Sequence, residues 1–379
     1  MPIGTMLAGV CEQLNDRVGF QLLRANVSTR TMHPVIDSVT HIWRRDSGID
    51  VNPNAFADQA GDQWQNSPIR SLVESQDQRT QRTRLDRDEA AFAFPLFKEF
   101  RDLGATEYVA RLIGFGHEGA HDHRSGMVST WLTDRPGGFL DAEALILERL
   151  MPRLALSVKS TLGHEISTNL LETYVGHDAG RRILDGAFRR GTFRTIPAAI
   201  FFADLRGFTT LSDRLETEAV ASLLNDCFDA MVEPVTRRGG EVLKYMGDGV
   251  LAVFDREGRN EDDLCEGALD AAHEAITAVA SIGEPDTGKA MMLDVALHLG
   301  DVLYGNVGTV DRLDFTVIGP AVNEASRIEG LCDQLGHALL TSPSFARASA
   351  RCGRRLRSLG RHHLRGVDTD QELFTIDIG

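Results

Sequence analysis

The sequence contains no long hydrophobic run. No apolar stretch reaches the roughly 18 residues that a membrane-spanning helix needs, so we expect no transmembrane segment. The first 20 residues carry no basic segment ahead of their short apolar patch, which disfavours a signal peptide. We therefore expect a cytoplasmic protein that has no membrane partner.

Cysteine is scarce, and basic residues are fewer than acidic residues. The five cysteines are scattered and form no CxxC pair, which favours reduced thiols over a disulfide framework. Lysine and arginine number 40 against 55 aspartates and glutamates, which gives a net charge of −15. This excess of acid argues against non-specific binding to nucleic acids or to membrane surfaces. An anionic nucleotide could bind only through local basic side chains and a divalent cation.

The length of 379 residues and the 42% hydrophobic content suit two or three packed domains. In the first half, a polar region at 50–90 indicates either a loop or an exposed helix. Alternating and helical apolar patterns then predict strands at 108–113 and 127–132 and helices at 140–162 and 165–185. Glycines and a proline follow, so we place a domain boundary near residue 195.

The second half has a regular alternation of strands and helices. We predict, in order, a strand at 198–203, a helix at 211–237, a hairpin of 241–246 and 249–254, a helix at 261–281 and a strand at 292–299. Short strands at 302–307 and 312–318 and a helix at 321–335 follow. The βαββαβ order is the ferredoxin-like pattern, so we predict an α+β fold, an α/β sandwich.

Two acidic turns stand out in this half. Asp204 ends the first strand just before Gly207, and Asp248 occupies the tip of the hairpin. Each alone has an ordinary explanation, a helix-capping aspartate or a Gly-Asp-Gly turn. A hairpin paired beside the first strand would bring both carboxylates together, where they repel unless a cation lies between them. Such a pair suits Mg²⁺ bound to a polyphosphate.

Residues 198–376 resemble the catalytic domain of class III adenylyl/guanylyl cyclases of the bacterial type. The resemblance is specific because several segments agree in order, at 202–209, 244–249, 297–308 and 316–327. It implies a cyclase that attacks the α-phosphate of a nucleoside triphosphate with its ribose 3′-hydroxyl. The products would be a 3′,5′-cyclic nucleotide and pyrophosphate.

The resemblance also implies a role for individual residues. Asn323 would orient the ribose, and Arg327, four residues later on the same helix face, would neutralise the α-phosphate in the transition state. Two Mg²⁺ or Mn²⁺ ions would be held in each active site, and the triphosphate would be bound around them. The metal positions are Asp204, Leu205 and Asp248, and the triphosphate positions are Gly207, Phe208, Thr209 and Arg365.

Lys244 and Thr316 occupy the positions that bind the purine base in this family. A lysine donor suits N1 of adenine, and a threonine hydroxyl can accept from the 6-amino group, so ATP is favoured over GTP. A guanylate cyclase and a catalytically idle nucleotide-binding regulator are the alternatives. The complete set of metal, ribose and arginine positions argues against the idle regulator. No GGDEF hairpin is present, which argues against a diguanylate cyclase.

The family builds each active site from two chains, so a homodimer with sites at its interface is implied. Residues 1–160 resemble a GAF-like sensor domain that would receive an unidentified small-molecule or protein signal. A helical linker at 161–195 would pass that signal to the catalytic domain at 196–379. His117, His121 and His123 have a spacing that metal sites use, but an exposed loop rich in glycine and histidine is the favoured explanation.

Overall fold

The structure is a computed structural model that describes residues 1–75, 79–87, 94–115, 126–255, 260–366 and 369–376. The chain divides into two compact units, Met1–Leu170 and Leu171–Gly379. None of the helices in the described ranges is long and apolar enough to cross a membrane.

The first unit is built on a six-stranded antiparallel sheet. Its strand order is β3-β2-β1-β6-β5-β4, and the strands are β1 Leu22–Arg30, β2 Ile36–Arg44, β3 Gly48–Ala55, β4 Thr80–Arg84, β5 Glu107–Gly114 and β6 Gly126–Thr133. The helices are α1 Ile3–Gln13, α2 Asp62–Gln65, α3 Pro68–Glu74, α4 Pro95–Asp102 and α5 Asp141–Val175, with a π-helical turn at Leu14–Val18 and a 3₁₀ turn at Phe56–Ala60. The strands predicted at 108–113 and 127–132 are confirmed as β5 and β6.

The core of this unit lies on both faces of the sheet. Helices α1 and α5 cover one face, with Leu7 and Val158 packed in a cluster around Trp131. Helix α4 covers the other face, where Phe97 packs against Tyr108 with ring centroids 5.1 Å apart.

Two expectations for this unit need correction. The polar region at 50–90 is neither a loop nor a single helix, because it contains most of β3, all of β4 and two short helices. Arg82 explains the strand β4, since its guanidinium pairs with the buried carboxylate of Glu107 on β5. The two helices predicted at 140–162 and 165–185 are one long helix, α5, and a short α6 at His177–Leu184. The break falls at Gly176, whose φ of 97° favours glycine.

The second unit contains the predicted βαββαβ order. Its strands are β7 Phe193–Leu205, β8 Glu241–Met246, β9 Gly249–Asp255, β10 Leu293–Gly308, β11 Leu313–Ile318, β12 Leu339–Thr341, β13 Arg357–His362 and β14 Gln371–Thr375. After α6 come helices α7 Phe208–Ser212, α8 Thr217–Arg237, α9 Glu261–Ala280, α10 Pro320–Glu329, α11 Cys332–Leu335 and α12 Pro343–Arg351. The sheet order is β13-β14-β12-β10-β7-β9-β8, and β11 pairs with β10. The antiparallel core β10-β7-β9-β8 confirms the ferredoxin-like prediction.

Alternating side chains of β7 enter two cores, one on each face of the sheet. Phe201 and Ala203 join the cluster formed with α8 and α9. Ile200 and Ala198 join a second cluster that includes Ala325 of α10. This period of two is what a strand buried on both faces requires.

Three element boundaries differ from the prediction. The strands predicted at 292–299 and 302–307 are one strand, β10, because Gly300 continues the ladder instead of turning. The helix predicted at 211–237 is divided into α7 and α8, since Glu216 has an extended conformation at the start of α8. The helix predicted at 321–335 is likewise divided into α10 and α11.

Helix α6 is attached to the sheet by polar contacts. The Glu241 carboxylate at the start of β8 accepts hydrogen bonds from the main-chain N–H groups of Asp178 (2.7 Å) and Ala179 (3.4 Å). The Tyr304 hydroxyl on β10 donates to the Asp178 carboxylate at 2.9 Å. Helix α6 therefore contacts both an edge strand and the central strand of this sheet.

Candidate active site

The two acidic turns meet at one end of the β7–β9 pair. Asp204 is the penultimate residue of β7, and Asp248 lies in the turn between β8 and β9. Ala203 pairs with Val250, so the turn lies next to the end of β7. A Cβ atom on Gly249 would lie 2.7 Å from the Ala203 carbonyl oxygen and 2.8 Å from Asp204 Oδ1. Glycine at 249 therefore permits this close approach.

The carboxylates at this end of the sheet repel one another. Burial raises the pKa of Asp204 to about 6, and the carboxylates of Asp248 and Asp294 contribute to the rise. Asp294 lies opposite Asp204 on β10 and is bound by the Arg206 guanidinium, with Nε 2.9 Å from Oδ2. Burial and the same three carboxylates raise the pKa of Glu329 to about 7. A cation at this position would relieve the repulsion.

The residues present fit a hard divalent cation through oxygen donors. Asp204 and Asp248 supply two carboxylates, and Leu205 follows at the end of β7 with its main-chain amide bonded to the Asp204 carboxylate. Among the described residues, no group of three or more acids, histidines or cysteines is arranged to hold a metal by itself. A cation bound here would therefore complete its coordination with main-chain oxygen, water and ligand oxygens, as Mg²⁺ commonly does.

The turn after Leu205 bends the chain into α7. Gly207 adopts a φ of 75°, which favours glycine, and Phe208 anchors the new helix in the core. Thr209 is exposed on the first turn of α7. Triphosphate binding by Gly207, Phe208 and Thr209 stays a prediction.

Lys244 and Thr316, the predicted purine readers, line the same cavity of about 840 Å³. They approach because β11 lies against β8. The Lys244 ammonium of β8 binds the Asp314 carboxylate of β11, with Nζ 2.9 Å from Oδ2. This hydrogen bond lowers the pKa of Asp314. Asp204 and Asp248 are not among the described residues that line this cavity.

Helix α10 carries Asn323 and Arg327. Its buried side packs Ala325 and Ile328 against the sheet, which leaves Asn323 exposed and Arg327 half-buried. A Cβ on Gly366 would lie 3.5 Å from Arg327 Nη2, so the loop that carries Arg365 passes close to this guanidinium. Arg365 itself is exposed, and its predicted triphosphate contact remains a prediction.

Sequence reasoning missed three acidic residues of this region. Asp294 could have been found as an aspartate inside an otherwise apolar strand, and Asp314 as the residue two positions before Thr316 on the same strand face. Glu329 has no comparable sequence signal. The cluster of His117, His121 and His123 lies outside the described residues.

Comparisons with known proteins agree with this geometry. Residues 194–377 match the family model described as the adenylate and guanylate cyclase catalytic domain. An adenylate cyclase of Anabaena cylindrica is 36% identical over 164 residues, which cover 41% of this chain and 32% of that protein. Adenylate cyclase 2 of Rhizobium meliloti (strain 1021) is 29% identical over 243 residues, which cover 61% of this chain and 64% of the relative.

A solved structure of a bacterial light-regulated adenylyl cyclase is also similar, with 25% sequence identity and a TM-score of 0.50. The match covers 61% of this chain and 65% of that chain. This chain therefore spans less than two thirds of the length of each of these relatives. The family match and the ferredoxin-like sheet agree on the same half of the chain: residues 194–377 belong to the adenylate and guanylate cyclase catalytic domain family.

Proposed function

We propose that this protein is an adenylate cyclase that converts ATP to 3′,5′-cyclic AMP and pyrophosphate. The observation that carries the proposal is the pair of carboxylates, Asp204 and Asp248, that β7 and the β8–β9 turn hold together with unrelieved repulsion. The relatives named above as adenylate cyclases support ATP as the substrate. In the reaction the ribose 3′-oxygen bonds to the α-phosphorus as the bond to pyrophosphate breaks.

Asp204, Asp248 and the main-chain carbonyl of Leu205 would hold two divalent cations, Mg²⁺ or Mn²⁺. Such ions lower the pKa of a bound hydroxyl and balance the charge of the triphosphate. The main-chain N–H groups of residues 207–209 would bind phosphate oxygens at the start of α7.

Asn323 and Arg327 would act on the reacting centre. The Asn323 amide would fix the ribose, and the Arg327 guanidinium would bind the α-phosphate oxygens as negative charge moves toward pyrophosphate. An arginine that stabilises a phosphoryl transition state contributes roughly 10³–10⁵ in rate. Arg365, on the loop beside Arg327, would contact the triphosphate.

Lys244 and Thr316 would read the base. The Lys244 ammonium has three N–H donors, so it can bind Asp314 and still donate to N1 of adenine. The Thr316 hydroxyl would accept from the 6-amino group. Guanylate cyclase activity is the second candidate, since the family model covers both substrates.

We propose that two chains complete each site, with the metal residues from one chain and the purine and ribose residues from the other. The β7–β10–β11 arm supports this arrangement, because it exposes large apolar side chains that a monomer would leave in water. They are Phe193, Leu303, Val310, Leu313 and Ile318, which are between 36% and 85% exposed.

We also propose that a GAF-like domain at 1–160 regulates a catalytic domain at 196–379 through a linker at 161–195. The long helix α5, which runs from the first unit into the second, supports such a path. Deletion of residues 1–160 should change the basal rate or its response to a signal. An unchanged rate, with dimerisation retained, would contradict regulation.

Product analysis tests the proposed function. Purified protein is incubated with ATP or GTP and with Mg²⁺ or Mn²⁺, at concentrations that permit dimerisation, and the nucleotides are separated by chromatography. We expect cyclic AMP from wild type and none from Asp204→Asn or Arg327→Ala. An equal mixture of the two inactive variants should recover about a quarter of the wild-type rate, because half of the dimers then contain one intact site of two. Absence of any cyclic nucleotide from wild type would refute the enzyme, and failure of the mixture to recover would refute the shared site.

A further inference from the structure

His298 lies directly behind helix α10, on the central strand β10. It is only 6% exposed, and within the described residues its Nδ1 atom has no hydrogen-bond partner. A buried polar atom without a partner is costly and therefore needs an explanation. Burial also lowers the pKa of His298 to about 4, so the imidazole is neutral near pH 7.

Glycine at position 300 makes room for this imidazole. A Cβ on Gly300 would lie 2.9 Å from His298 Nε2 and 2.9 Å from the Cβ of Ala321, the second residue of α10. The missing side chain therefore lets the helix approach the strand closely enough to meet the imidazole.

Glu324 faces the unpartnered nitrogen from α10. Its Oε1 atom lies 3.6 Å from His298 Nδ1, slightly beyond a hydrogen bond. The side chain of Glu324 is 25% exposed, and its pKa is raised by burial and partly lowered by the charge of Arg327. Arg327 follows three residues later, on the adjacent part of the same helix surface. The carboxylate thus lies between a buried imidazole and the arginine proposed for the transition state.

We propose that His298 and Glu324 are positioning residues that orient Arg327 for the cyclisation reaction. The His298 Nδ1–H group donates to the Glu324 carboxylate, which in turn attracts the Arg327 guanidinium and restricts its rotamers. This inference rests on the proposed function, because it assigns a purpose to the orientation of Arg327. A small rotation of the Glu324 side chain would bring these two atoms, which lie 3.6 Å apart, within hydrogen-bond distance.

Kinetics of four variants test the positioning role. Glu324→Gln, which keeps the size and removes the charge, should lower kcat roughly tenfold and leave the KM for ATP nearly unchanged, as expected for a contact that matters in the transition state. Glu266→Gln, the same charge change on the exposed side of α9, should match wild type. His298→Asn, whose amide nitrogen lies near the position of Nδ1, should retain more activity than His298→Gln.

A second measurement does not depend on activity. Nitrogen-15 NMR of histidine-labelled full-length protein reports which ring nitrogen carries the proton. We expect the Nδ1–H tautomer for His298 in wild type and a shifted resonance in Glu324→Gln. An Nε2–H tautomer, or a normal kcat in Glu324→Gln, would overturn the proposal. If Arg327→Ala abolishes cyclisation while Glu324→Gln does not, only this inference fails and the proposed function stands.

Discussion

The ion pair of Arg206 and Asp294 should be a main determinant of the stability of the second unit. Arg206 Nε lies 2.9 Å from Asp294 Oδ2, and the side chains are 19% and 6% exposed. Burial raises the pKa of Asp294 although the Arg206 hydrogen bond lowers it, so the carboxylate depends on its partner. Arg206→Met would leave this charge buried opposite Asp204. Breaking a buried pair from one side costs about 3–5 kcal/mol.

For a unit of about 200 residues, that loss corresponds to a fall in Tm of roughly 6–20 °C. Differential scanning calorimetry of the full chain measures the shift. Asp333→Asn is the matched control, because Asp333 also contacts Arg206, at 3.4 Å, but is 79% exposed. Its loss should cost about 1 kcal/mol or less. The double variant Arg206→Met/Asp294→Leu should recover much of the stability. Equal Tm values for Arg206→Met and the control would refute the reasoning.

Three further predictions follow from the same unit. Gly249→Ala should remove cyclase activity, because its Cβ would collide with Asp204 Oδ1. Gly247→Asn is the control and should keep its activity, because a side chain there meets open space and asparagine tolerates the φ of 68°. Equal rates of the two variants would contradict this prediction. Burial and Asp178 raise the pKa of Glu241 from 4.5 to about 7, so the folded state binds the extra proton. The free energy of unfolding should therefore fall as pH rises from about 4.5 to about 7, and urea titrations of Glu241→Gln should show a smaller fall. Tyr304→Phe, which removes the hydroxyl that donates to Asp178, should cost about 0.5–1.5 kcal/mol in the same assay, and no change would contradict a role in holding α6.

Local patterns were sufficient to predict the order of strands and helices between residues 198 and 335. The apolar runs around Asp204 and Asp248 predict β7 and the β8–β9 hairpin, and the pairing of Ala203 with Val250 brings the two turns together. Gly300 misled the prediction, because glycine followed by aspartate resembles a turn. In the structure Gly300 continues β10, because its missing side chain admits α10 and His298.

The remaining features depend on contacts distant in sequence. Strand β4 is polar on both faces, and its pairing with β5 and the ion pair of Arg82 with Glu107 hold it in the sheet. Helix α5 contains Pro152 and continues through Gly163. The sequence pattern predicts a helix boundary at Gly163. The contact of Lys244 with Asp314 joins β8 to β11, two strands that are not hydrogen-bonded neighbours, and strand propensities do not predict such a contact.

The β8–β9 hairpin carries three polar residues with different neighbours. Glu241 binds the start of α6, Lys244 lines the cavity of about 840 Å³, and Asp248 lies beside Asp204. In the proposed dimer, the lysine and the aspartate of one hairpin serve opposite active sites. A displacement of one α6 would then alter the two sites at once, so one chain could not be switched on alone. A signal received by one chain should consequently change the rate at both sites of the dimer.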